Sequence, residues 1–149
     1  MGIQLAEFWG DDSTACADRP NFSWPVAGVH TFFYYDDLPA ALFFYEHLLE
    51  FPKVMDFGWC AIFQLYGNAY LGLVNATRGS QRPISGCEKG AVLSLLTNDL
   101  DGCLARAKRA GVVAPTLMPV AGCDGRTREF KIRDPGGYSI EFFAWVVPG

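Results

Sequence analysis

The sequence predicts an α+β fold built from two consecutive βαβββ modules. HTFFYYDDL at 30–38 overlays VLSLLTNDL at 92–100 with an offset of 62, pairing Asp37 with Asp99 and Leu38 with Leu100. The turn Gly67-Asn68 overlays Gly136-Gly137 with an offset of 69, a net insertion of seven residues (69 minus 62). Between these anchors both halves read strand, helix, then three strands. A repeated supersecondary unit is a stronger fold signal than any single propensity, and one such unit holds too little core to stand alone.

Residues 1–25 read as an N-terminal arm, punctuated by Pro20 and Pro25 and carrying Phe8, Trp9, Phe22 and Trp24. Such an arm is expected to dock on its own domain or on a dimer partner. The first module is expected over 26–75. Val26–Tyr35 is rich in β-branched and aromatic residues, which predicts a strand. Asp37 followed by Pro39 supplies an N-cap and a first-turn proline, and Leu38, Leu42, Tyr45 and Leu49 recur at helical spacing. Pro39–Leu49 is therefore a helix. Lys53–Phe57, Trp59–Tyr66 and Ala69–Asn75 read as strands, the last two joined by the hairpin turn Gly67-Asn68. Residues 76–89 are polar and turn-rich, a linker. The second module is expected over 90–149: strand Ala91–Leu96, a helix from Asp99 to Ala110 closed by Gly111, then strands Val112–Val120, Thr127–Arg133 and Tyr138–Val146.

The 149 residues fit one domain able to bury roughly 70% of its unfolded surface. Twelve Lys and Arg against sixteen Asp and Glu leave a charge of -4, which argues against nucleic acid as partner. No apolar run approaches the ~18 residues of a membrane span, and the start lacks the basic region of a signal peptide. The five cysteines are scattered without a CxxC pair, as in a reduced cytoplasmic protein. A cytoplasmic location is the expectation.

Val29-His30-Thr31 opening a strand, Asp37-Leu38 capping a helix, Phe44-Tyr45 and Leu48-Leu49 on it, and Asp134-Pro135-Gly136-Gly137-Tyr138-Ser139-Ile140-Glu141 near the end form a set. As a set they resemble the vicinal oxygen chelate superfamily, the glyoxalase, bleomycin-resistance and extradiol-dioxygenase group, over about residues 26–146. One departure is Glu50, where these proteins usually carry Gly. A non-Gly residue there must adopt a left-handed conformation at a cost, or end the helix differently. The resemblance implies two modules curling a mixed sheet around one cleft, a homodimer and, in enzymatic members, a divalent metal held by four strand positions. Here those positions read His30, Gly72, Val92 and Glu141. Two of them offer no donor, whereas a metal site typically needs three or more.

Three readings of His30 and Glu141 stand beside one another: a buried hydrogen-bonded pair across the cleft, a weak metal site completed by substrate, or Glu141 as a metal-free general base with a raised pKa. Strand alternation places Phe32 and Tyr34 with His30, Tyr70 and Val74 with Gly72, Ser94 and Leu96 with Val92, and Ser139, Phe143 and Trp145 with Glu141. These residues either line a ligand cleft or fill a core. Gly72 is expected to leave room for ligand. The parity of Trp59 and Phe63 is open. His47 and the run Arg106, Lys108, Arg109 read as solvent-facing. Arg126 and Arg128 read as one strand face, able to anchor an anion or simply solvated.

The function expected is binding of a small aromatic or planar molecule in a metal-poor cleft, with no cofactor. The alternatives are a metal-dependent lyase, isomerase or dioxygenase using His30 and Glu141, or a metal-free enzyme with Glu141 as base.

Overall fold

A computed structural model describes residues 23–147. The expected arm therefore lies outside the described residues, except for its last three. The first module runs β1 (Val29–Tyr35), α1 (Leu38–Phe43), β2 (Lys53–Asp56), β3 (Cys60–Tyr66) and β4 (Ala69–Asn75). The second runs β5 (Val92–Leu96), α2 (Leu100–Arg109), β6 (Val120–Gly122), β7 (Thr127–Arg133) and β8 (Ser139–Trp145). Each forms a four-stranded mixed sheet, ordered β1-β4-β3-β2 and β5-β8-β7-β6, with the outer pairs β1–β4 and β5–β8 parallel. The two βαβββ modules of the expected fold are present.

Both helices start at the repeated aspartates. The Asp37 carboxylate accepts from the Ala40 amide at 3.1 Å, and that of Asp99 from the Gly102 amide at 2.9 Å, each satisfying a first-turn donor. The first helix does not stay α-helical to Leu49. It widens into a π-turn at Phe44–Leu48, where the Leu49 amide bonds the Phe44 carbonyl at 2.9 Å. Glu50 then takes a φ of 57°, the left-handed alternative, and the Phe51 amide closes on the Tyr45 carbonyl at 2.9 Å.

One expected strand is corrected. Val112–Val120 is mostly loop, and pairing begins only at Val120 (Val120 opposite Glu129, Gly122 opposite Thr127). Pro115 and Pro119 lack the N–H a ladder needs, which outweighs the β propensity of Val112 and Val113.

One hydrophobic core spans both modules. It gathers the helix-facing sides of both sheets, including Phe33, Phe63, Leu71 and Leu73 from the first and Leu93, Phe130, Ile132 and Ile140 from the second. Phe63 thus belongs to the core, which resolves its parity. At the junction the Phe33 and Tyr138 rings stack at 4.1 Å, and the Tyr138 hydroxyl donates to the Tyr34 carbonyl at 3.1 Å. Asp134, 5% exposed, accepts from the hydroxyls of Tyr35 and Tyr45, the latter at 2.7 Å, and from the amides of Gly136 and Tyr138 at 2.9 Å. The Asp-Pro-Gly-Gly turn of the second module is thereby clamped to two buried tyrosines of the first.

Candidate functional site

Since the helix-facing sides merge into one core, each sheet keeps an open face. The first carries His30, Phe32 and Tyr34 on β1, paired in register with Tyr70, Gly72 and Val74 on β4. The second carries Val92, Ser94 and Leu96 on β5, paired with Ser139, Glu141 and Phe143 on β8, with Trp145 beyond. The face assignments made by alternation match this pairing.

The repeat also aligns one particular rung. Phe32 opposite Gly72 in the first module corresponds to Ser94 opposite Glu141 in the second (32 plus 62, 72 plus 69). Gly72 does not leave open space, contrary to expectation. A Cβ there would collide with the Phe32 ring and approach Ile62 Cδ1 to 3.2 Å, so the ring lies over the glycine. The His30 ring stacks on Tyr70 at 4.6 Å and 20°, and lies 6.0 Å and 18° from Phe32. Phe32, His30 and Tyr70 thus form a row of nearly parallel rings with Phe32 44% exposed. Tyr34 stands apart. Its hydroxyl meets Ser80 Oγ of the linker at 3.3 Å, and it packs with Cys60, Ile62 and Val74 in a small satellite cluster. Trp59, at the strand's edge, carries the Arg78 guanidinium 5.5 Å from its ring centre.

On the second face, Ser94 Oγ donates to Glu141 Oε1 at 2.6 Å, and Lys131 Nζ lies 3.0 Å from Glu141 Oε2 and 3.0 Å from Glu129 Oε1. Burial pushes the Glu141 carboxyl up, but the Ser94 hydrogen bond and the Lys131 ammonium outweigh it and hold the group below the usual carboxylate range. The raised pKa expected for a general base is not found. The expected His30–Glu141 pair is not formed either: His30 is exposed within its own ring row, and Glu141 is satisfied by Ser94 and Lys131. Phe143 and Trp145 meet edge to face at 5.5 Å. Val92, Leu96 and Trp145 are 49%, 58% and 57% exposed.

Sequence reasoning missed Lys131 and Glu129. The alternation in TREFKIR at 127–133 was the available signal, since Thr127, Glu129 and Lys131 share one side with Phe130 and Ile132 opposite.

A divalent metal does not fit this donor set. Gly72 and Val92 offer no ligand atom, and Glu141 already holds an ammonium group that a cation would have to displace. Among the described residues no three His, Cys, Asp or Glu side chains converge. His47, Arg106 and Arg109 are exposed, as expected, while Lys108 is half-buried. Arg126 caps the short turn Cys123–Gly125 and is not part of the strand that holds Arg128. Among the described residues no helix is long and apolar enough to cross a membrane.

The family model for the glyoxalase/bleomycin resistance protein/dioxygenase superfamily matches residues 29–142. No curated protein sequence matches the chain. Lactoylglutathione lyase from Agrobacterium tumefaciens superposes with a TM-score of 0.64 at 22% identity, covering 80% of this chain and 94% of that one. A glyoxalase/bleomycin resistance protein/dioxygenase from Nocardioides gives 0.65 at 20% identity, with 86% and 88% covered. The glyoxalase/bleomycin resistance protein from Catenulispora acidiphila gives 0.61 at 26%, with 83% and 100% covered. The first two likenesses establish the fold alone, and the family model, which spans most of the chain, establishes the lineage. The chain belongs to the glyoxalase/bleomycin resistance protein/dioxygenase superfamily.

Proposed function

We propose that this protein binds a small aromatic or planar molecule on its open sheet faces, without a metal and without chemistry at Glu141. The observation that carries this reading is the row of exposed Phe32 and His30 rings backed by half-buried Tyr70. Parallel rings with a free face suit stacking, at about 0.5–1.5 kcal/mol per well-placed pair beyond area burial. Ser94, Ser139 and the Lys131–Glu141 pair supply the few polar groups that orient a ligand in an otherwise apolar site. Phe143, Trp145 and Val92 extend the apolar surface. In a homodimer the faces of two copies enclose the ligand in a shared cleft, which accounts for large apolar side chains left exposed in one copy.

The test is a titration with a panel of neutral planar aromatics, read by quenching of intrinsic fluorescence, on the parent chain, Phe32→Ala and Gly72→Leu. Gly72→Leu must eject the Phe32 ring from its seat, so both variants should weaken every hit at least about twofold. Hits that bind both variants as tightly as the parent would remove the sheet face as the site. Elemental analysis of untagged protein is the companion measurement. Near one Zn, Fe, Ni or Mn per chain, lost in His30→Ala, would overturn the metal-free reading in favour of a metal-dependent enzyme.

A further inference from the structure

Away from both open faces, the helical layer holds a half-open cavity of about 470 Å³ between the end of the first helix and α2. Leu48, Leu49 and Phe51 line one side and Phe142 of β8 the floor, all only partly buried and packed against the common core. The π-turn at Phe44–Leu48 and the left-handed Glu50 shape this wall, because together they end the helix early and turn the chain away. Two departures from regular geometry at adjacent positions on one cavity wall are a costly local arrangement, of the sort that clusters at functional sites.

The rim is basic although the chain is acidic. Arg106 and Arg109 both border the cavity, and Glu50 is the single acid there. The Arg106 guanidinium reaches the Glu50 carboxylate at 2.8 Å, with the two side chains 61% and 70% exposed. Among the described residues Arg109 is exposed and makes no ion pair. An exposed pair of this sort is worth little and opens readily, so an incoming anion can take Arg106 from Glu50 in a bidentate contact. The volume falls within the ~300–1,000 Å³ typical of small-molecule sites.

We infer that this cavity is a second site, for a small amphiphilic anion: an aryl or alkyl carboxylate or sulfonate. Its apolar body lies among Leu48, Leu49, Phe51 and Phe142, and its head displaces Glu50 from Arg106 with Arg109 alongside. The inference uses none of the residues invoked for the sheet-face site and stands or falls apart from it.

Anilinonaphthalene sulfonate is the probe, titrated by fluorescence into the full chain and its variants. Saturable binding is expected. Arg106→Gln should weaken it about tenfold, since a charge-assisted contact is lost. Glu50→Gln should tighten it about threefold by removing the competing carboxylate. The Arg106-dependent binding should persist in the Phe32→Ala background, where stacking of the probe on the sheet face is removed. In that same Phe32→Ala background, neutral phenylnaphthylamine should bind at least about tenfold more weakly than the sulfonate. Absence of saturable binding overturns the inference, as does an affinity indifferent to Arg106→Gln. Loss of binding in Phe32→Ala with Arg106→Gln neutral would assign the probe to the sheet face, which refutes the second site while supporting the first.

Discussion

Replacing Asp134 by Ala tests the clamp between the modules. The carboxylate accepts from two buried hydroxyls, Tyr35 and Tyr45, and from the Gly136 and Tyr138 amides. No buried side-chain nitrogen or oxygen among the described residues lacks a partner, so the truncation would create orphans in a fully satisfied core. Hydrogen bonds to a charged group contribute about 1.5–3 kcal/mol each, without simple additivity, and breaking a buried charged network typically costs about 3–5 kcal/mol. A loss of about 4 kcal/mol is expected. With a urea slope of about 2 kcal/mol/M, the midpoint should fall by about 2 M at unchanged slope. Tyr35→Phe should cost about 2 kcal/mol in the parent and close to nothing in the Asp134→Ala background, because its partner is already gone. Urea unfolding followed by tryptophan fluorescence and circular dichroism measures all four corners of this cycle. An Asp134→Ala loss below about 1 kcal/mol, or a Tyr35→Phe cost independent of Asp134, would refute the clamp. The same site predicts alkaline behaviour. Burial pushes both phenols far above their ordinary value of 10.0, reinforced at Tyr35 by Tyr45 and then Asp134, and at Tyr45 by Asp134. Their folded pKa lies above the unfolded one, so the stability they contribute is complete below pH 10 and is lost as pH rises beyond it. Tyr35→Phe should flatten that loss by about one proton.

Two further outcomes follow from local geometry. Glu50→Gly should raise the melting temperature by about 2 °C in calorimetry, because relief of a left-handed residue (about 1 kcal/mol) exceeds the value of an exposed ion pair; a lower melting temperature would show that the pair with Arg106 outweighs the strain. Glu141, held below its ordinary 4.5, contributes stability that is complete above that value and lost as pH falls through its lower folded pKa. Acid unfolding of Glu141→Gln should lack that part of the pH slope, and an unchanged slope would mean Ser94 and Lys131 do not hold the carboxylate in solution.

The sequence by itself determined the modules, the two aspartate caps, the hairpin turns and which residues share a strand face. Each follows from periodicity, capping chemistry or turn geometry within a few residues, and the repeat supplied an internal check. Only packing showed which face is core and placed Phe63 in it. Glu50 was legible as a choice between two endings, and tertiary packing selected the left-handed one. Val112–Val120 stays mostly loop against its β propensity because Pro115 and Pro119 lack the N–H a ladder needs. The candidate site was legible only in part. Alternation fixes which residues share a sheet face, but no local rule sets how two sheets are turned toward one another or which rotamer a ring adopts. Hence Phe32 filling the place over Gly72, Lys131 neutralising Glu141, and the failure of His30 and Glu141 to pair were all decided in three dimensions. The same holds for Asp134 gathering Tyr35 and Tyr45, and for Glu50 meeting Arg106. Those partners lie 99, 89 and 56 residues apart, and only closure of the common core brings them within bonding distance.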